Sequence, residues 1–251
     1  MECEFKKQEV VQVLYNKLDE IQEFVPRRVA IFSDAHALLE PTLAILEDAH
    51  KKGITEIYSL GDNIGTGPNP REVLELLEEY HVQSILGNHE LYIVEGIHPF
   101  EKHLSETGSI EEAVRNRNYT KGQLSDHQIH NIQLFPTSIE LLMGEEKILL
   151  CHTHLDYNTN YPVIDTNGYA MVLKGHTHFE ELDHNIRTLR SSSFGKREIP
   201  KKAYYLILTE REKSGFQVDV CKVPYDYDKL IRNVEESSLV EQDKIKLKRW
   251  V

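Results

Sequence analysis

Cysteine is scarce in this chain of 251 residues, with Cys3, Cys151 and Cys221 forming an odd set that lacks a C-x-x-C pair. Such usage argues against a disulfide framework and leads us to expect a reduced, cytoplasmic protein. Long apolar runs are missing too. No stretch approaches the roughly 20 residues of a membrane span, and the first residues, Met1 to Lys7, lack the apolar core of a signal peptide. No membrane partner is expected. Basic charge is in short supply, since 29 Lys and Arg face 41 Asp and Glu for a net charge of −12. Stable binding to nucleic acid or to an anionic membrane wants a basic face, so neither is expected. An anionic substrate is not excluded, because bound divalent cations reverse the local sign. Internal repeats, low-complexity tracts and linkers are also absent.

What remains is an ordinary globule, with 40% hydrophobic and 28% charged residues. The length suits one large α/β domain with a proper core. Val10, Val11, Leu14, Leu18 and Ile21 recur at helical spacing up to Pro26. We read residues 1–27 as a helical extension with a face for a partner or for self-association, and residues 28–251 as the domain proper. Strand patterns at Arg28 to Ser33, Ile54 to Leu60 and Val82 to Leu86 alternate with helices at Ala44 to Lys52 and Arg71 to Tyr80. This β-α-β-α-β order predicts a parallel sheet. Residues 91–135 turn helical and polar, with capping boxes at Ser109 to Glu112 and Ser125 to Gln128. Ile139 to Met143 and Lys147 to Cys151 flank a Gly-containing hairpin turn, and Met171 to Lys174 is another short strand. Ile186 to Leu189, Ala203 to Leu208 and Phe216 to Val223 complete a second, more antiparallel set, before a charged helical tail from Leu230. Two sheets face to face with helices outside fit this order.

The chemistry-bearing residues fall at strand ends: Asp34 and His36, then Asp62, then Asn88 and His89, then His152, then His176 and His178. Open α/β sheets place their chemistry outside the carboxyl ends of strands. Any one cluster is an ordinary turn or strand face, and Gly61-Asp62 alone is a common turn. Together they form a pattern. Of the 13 histidines, six (His36, His89, His152, His154, His176, His178) stand just past apolar strand patterns. A carboxylate, an amide oxygen and several imidazoles are the mixed donors that Mn²⁺, Fe, Ni²⁺, Co²⁺ and Zn²⁺ accept. Two such ions about 3.5–4 Å apart clamp a phosphoryl group and hold a bridging hydroxide for in-line attack. Asp62 is the group both ions would share.

The ordered motifs Asp34-Ala35-His36, Gly61-Asp62-Asn63-Ile64-Gly65, Gly87-Asn88-His89-Glu90, His152 and Gly175-His176-Thr177-His178 closely resemble those of the calcineurin-like metallophosphoesterases. Gly65 to Pro70, the Ser-rich 191–193 with Gly195, and Ala203-Tyr204-Tyr205 resemble the small prokaryotic phosphodiesterase branch. The resemblance implies a four-layer α/β/β/α sandwich of two facing mixed sheets with flanking helices. It implies one metal on Asp34, His36 and His178, a second on Asn88, His152 and His176, and Asp62 bridging. Manganese is the first expectation for both. His89, helped by Glu90, would be the acid that protonates the leaving oxygen, or else a further metal ligand. The implied activity is phosphodiester hydrolysis. Phosphomonoester or phosphoprotein hydrolysis, dinucleoside polyphosphate hydrolysis, and a metal-bearing binding module without turnover are the alternatives. Two departures stand out: Ala37-Leu38 follows Asp34-x-His36 where the family usually has Gly-Asn, and Thr153-His154 follows His152 where small residues and Pro are common.

Overall fold

The computed structural model describes residues 24–96, 110–153, 165–176, 182–183, 186–188 and 201–251. The N-terminal helical stretch, His154, His178 and the Ser-rich segment lie outside the described residues. Among the described residues, two five-stranded sheets form the framework. The first runs β10-β9-β1-β2-β3 and joins β1 (Arg28–Phe32), β2 (Glu56–Ser59), β3 (Gln83–Ser84), β9 (Lys202–Glu210) and β10 (Phe216–Pro224). The second runs β4-β5-β6-β8-β7 and joins β4 (Ser138–Met143), β5 (Glu146–Cys151), β6 (Met171–Lys174), β7 (Leu182–Asp183) and β8 (Ile186–Thr188).

Period-2 alternation decides how the sheets stack. In β1, Val29 and Ile31 face one way and meet Ile148 and Leu150 of β5, Leu141 and Met143 of β4, and Leu206 and Leu208 of β9. This is the core between the two sheets. Ala30 and Phe32 face the other way, onto helices α1 (Leu39–Lys51) and α2 (Pro70–Glu79) through Ile45, Leu46, Ala49, Val73 and Leu77. Leu149, Cys151 and Val172 are buried on the outer face of the second sheet. Local signals set the helix ends. Pro70 opens α2 with its φ preset and no N–H to waste. Helices α3 (Asn88–Val94), α4 (Ile110–Gln123) and α5 (Asp126–Gln133) follow β3. Ser125 caps α5, its hydroxyl accepting from Gln128 N while Gln128 Oε1 accepts from Ser125 N.

Three expectations needed correction. Strands β9 and β10 join the first sheet rather than the second, β9 antiparallel to β1 and β10 antiparallel to β9 at the edge. The reason lies in β9, which is apolar on both faces (Ala203, Tyr205 and Ile207 on one, Leu206 and Leu208 on the other) and so needs an interior place. The third strand is only two residues long, and Asn88 and His89 begin a helix instead of extending a strand-end loop. The C-terminal tail is a packed pair, α6 (Tyr227–Glu236) and α7 (Glu241–Trp250), which buries Leu230, Val234, Leu239 and Leu247 against Leu38. No helix among the described residues is long and apolar enough to cross a membrane.

Candidate metal centre

The parallel strands bring their carboxyl ends to one edge of the two-sheet stack. β1 pairs in parallel with β2, and β5 with β6, so Asp34, Asp62, His152 and His176 all follow strands ending on the same side of their sheets. Two contacts then join the sheets. The backbone N–H of His176 donates to the Asp34 carboxylate (3.1 Å to Oδ1), and His152 Nδ1 lies 2.8 Å from the Leu60 carbonyl. The second contact makes Nδ1 a donor to that carbonyl and leaves Nε2 with its lone pair for the site.

Asp62 sits at the centre. It is 2% exposed, and two groups of potential ligands share it: His36, Asp62 and His89 on one side, Asp62, His152 and His176 on the other. Within each group the ligand atoms lie within 4.8 Å of one another. His152 Nε2 stands 3.3 Å from Asp62 Oδ2 and 3.2 Å from Asn88 Oδ1, and His176 Nδ1 stands 2.9 Å from the same Asn88 oxygen. Several electron-pair donors therefore converge on one small volume. That arrangement suits a cation, and the mix of imidazole, carboxylate and amide oxygen suits a first-row divalent ion. On the other side Asp34 Oδ1 lies 3.8 Å from His36 Nε2. The structure brings Asp34, His36, Asp62, Asn88, His152 and His176 together, with His89 beside His36 and Asp62; His178 lies outside the described residues.

Charge follows the same geometry. Burial opposes ionisation of Asp62, yet the imidazoles of His152, His89 and His36 hold its carboxyl well below the usual range. Burial also opposes a charge on His152, but the Asp62 carboxylate overcomes it and raises the imidazole to about 9. The field that favours a proton there equally favours a metal ion, and binding one would displace that proton.

Glu90 braces the site rather than assisting His89 directly. It is fully buried, and its Oε2 accepts from Asp62 N (2.8 Å) and Gly87 N (2.9 Å) while Oε1 accepts from Asn63 N (2.8 Å). Burial, with the adjoining Asp62 charge, raises its carboxyl to about 7. The Asp62 loop is thereby stitched to the first turn of α3, and Asp62 Oδ1 in turn accepts from His89 N at 2.9 Å. Gly87 lets these two segments approach, since a Cβ there would stand under 3.0 Å from Asp62 N and Oδ1. Gly65 does the same for the His89 ring. The His89 ring is half-buried and meets His36 edge-on at 5.0 Å between centroids, with Tyr92 at 5.6 Å. The sequence signal for the Glu90 brace was there in the helix-start spacing of Gly87 and Glu90. The Leu60 carbonyl carries no such signal.

A two-sheet fold with carboxylates and histidines gathered at its strand ends fits a metal-binding class of protein. Residues 28–212 match the model of the calcineurin-like phosphoesterase superfamily domain, and the chain belongs to that family. An uncharacterized protein of Methanocaldococcus jannaschii is 28% identical over 83% of this chain and 94% of its own length. A hypothetical protein of Pyrococcus horikoshii OT3 shares the fold at a TM-score of 0.65, with 18% identity over 88% of this chain and 97% of that one. A metallophosphoesterase from Sphaerobacter thermophilus superposes at 0.60, with 21% identity over 90% of this chain and all 100% of that chain. Family membership implies a hydrolase that uses divalent metals, and the Asp62-centred clusters fit them.

Proposed function

We propose that the chain is a dinuclear phosphodiesterase, with Mn²⁺ first among the metals and the cytoplasm as its setting. The observation that carries this reading is the Asp62 carboxylate, which belongs to both ligand groups. Asp34, His36 and His178 would hold one ion with Asp62, and Asn88, His152 and His176 the other. Two divalent ions in these positions would supply Lewis-acid polarisation and charge neutralisation at the phosphoryl group. The chain's own residues do the rest. Leu60 fixes the His152 ring through its carbonyl. Glu90 holds the Asp62 loop against α3; both its oxygens are taken by backbone N–H groups, so its role is positioning. His89, beside His36 and half-buried, holds the proton that passes to the leaving oxygen as its bond to phosphorus breaks.

The preference for diesters rests on missing cations. A monoester dianion usually calls for extra Arg or Lys beside the metals, and the site loops 34–40, 61–70, 87–92 and 151–160 contain neither. Lys174 is buried on β6, but strand alternation puts it with Val172 on the outer face, opposite Leu173 of the inter-sheet core. With Mn²⁺ supplied, kcat/KM for bis(p-nitrophenyl) phosphate is expected to exceed that for p-nitrophenyl phosphate. The reverse ranking would leave a phosphatase, and no turnover of either would leave dinucleoside polyphosphate hydrolysis or a metal-bearing binding module.

A further inference from the structure

The loop that carries Asp34 and His36 is held in an unfavourable backbone state. Asp34, His36 and Ala37 have φ of 55°, 46° and 57°, the left-handed region that residues with a Cβ avoid. Such conformations persist where the surroundings over-determine them. The front of the loop is held by the site itself: His36 N donates to Asp62 O (2.8 Å), Ala37 N to Asn63 O (2.8 Å), and His36 O accepts from Gly67 N (2.9 Å). The back is held by the C-terminal helices. Leu38 is fully buried and packs on Leu230, Val234, Leu239 and Leu247 of the α6–α7 pair and its connection. Two residues on, the buried Glu40 accepts from Asn233 Nδ2 of α6 at 2.6 Å, with Lys229 Nζ at 3.7 Å.

The bracket closes around the site. Helix α7 is tied to α4 by Arg115 with Asp243 (3.1 Å) and by Lys246 with Glu112. Helix α4 reaches back to both ligand segments, since Arg117 Nε donates to the Tyr92 carbonyl of α3 and Tyr119 Oη donates to the Pro68 carbonyl at 2.8 Å. Pro68 directly follows the Gly67 that holds His36 O. The pair α6–α7 lies beyond residues 28–212, which the family model matches. It also explains Ala37-Leu38: at the position where the family pattern has a polar Asn, this chain inserts an apolar anchor for its own C-terminal helices.

We propose that α6–α7 is part of the site's machinery, with Leu38 and the Glu40–Asn233 pair as positioning residues that set the His36-bearing metal position from behind. The proposal rests on the reading of His36 as a ligand. It is tested by titrating metal-free full-length protein with Mn²⁺ calorimetrically, resolving two binding steps, and identifying the His36 step as the one that His36→Ala removes. Leu38→Ala weakens that step by about 10-fold or more, the usual worth of a group orienting a ligand, and leaves the other step within about twofold. Leu38→Met, which refills the pocket, restores it. Asn233→Ala leaves the apolar core intact, carries the same expectation, and decides the matter should Leu38→Ala not fold. Equal weakening of both steps, or no weakening of either, overturns the proposal. Loss of neither step in His36→Ala would instead remove the ligand assignment beneath it.

Discussion

Replacing Gly87 by Ala should injure this protein far more than the size of a methyl group suggests. The backbone at Gly87 has φ −96° and ψ 177°, which any residue adopts, so the cost is contact rather than strain. The added Cβ would sit under 3.0 Å from Asp62 N and Oδ1 and 2.7 Å from Glu90 Oε2. An ordinary carbon contact is about 3.5 Å, so the Asp62 loop and the start of α3 must part by roughly 1 Å. Overpacking of that kind costs about 1–3 kcal/mol. Glu90 Oε2 also loses good geometry to Asp62 N and Gly87 N, at about 1 kcal/mol each. A loss of about 3–5 kcal/mol lowers Tm by about 6–20 °C in a protein of this size. Because Asp62 itself moves by about 1 Å, turnover should fall by about 10²-fold. Gly122, in α4 with nothing within 4 Å of its Cβ position, is the control. There the same change should be neutral or stabilising by up to about 1 kcal/mol. Thermal melting and initial rates on bis(p-nitrophenyl) phosphate read both variants. A Gly87→Ala protein that melts within about 2 °C of the parent and keeps most of its rate would refute the close-approach argument.

Other perturbations separate the roles assigned to single groups. His89→Ala should keep its metal content and lose about 10²–10⁴-fold in rate, with a smaller loss for a nitrophenolate leaving group than for an alkoxide; equal losses on both would argue that His89 is a ligand instead. Deleting residues 1–25, which precede the part of the chain matched by the family model, should lower stability or change the oligomeric state while leaving Mn²⁺ binding intact, as light scattering and calorimetry would record. Loss of metal in a folded, monodisperse truncation would contradict that.

The centre was legible in the sequence because its parts are local. Gly61-Asp62 after an apolar strand, Asp34-x-His36, and His152 and His176 past the ends of β5 and β6 each announce a strand end, and strand ends gather on one edge of a parallel arrangement. The placement of β9 was not legible. Ala203 to Leu208 reads as a strand either way, and only the demand to bury Tyr205 and Ile207 on one face and Leu206 and Leu208 on the other puts it beside β1. The C-terminal helices read as a charged tail because one apolar stripe, Leu230, Val234, Leu239 and Leu247, is thin by itself. Its partner is Leu38, about two hundred residues earlier. Glu90 was placed at the site but as an aid to chemistry, since a carboxylate beside His89 looks reactive until its two oxygens are seen to hold three backbone N–H groups.

The sharpest measurement is the metal content of Asp62→Asn, read by elemental mass spectrometry beside the parent protein and His36→Ala. An amide keeps the shape of Asp62 but gives up the charge that both ligand groups use. Asp62→Asn should therefore lose occupancy at both positions and turn over no phosphodiester, whereas His36→Ala should retain about one ion per chain. Full occupancy and an undiminished rate in Asp62→Asn would contradict a shared carboxylate at the heart of the site.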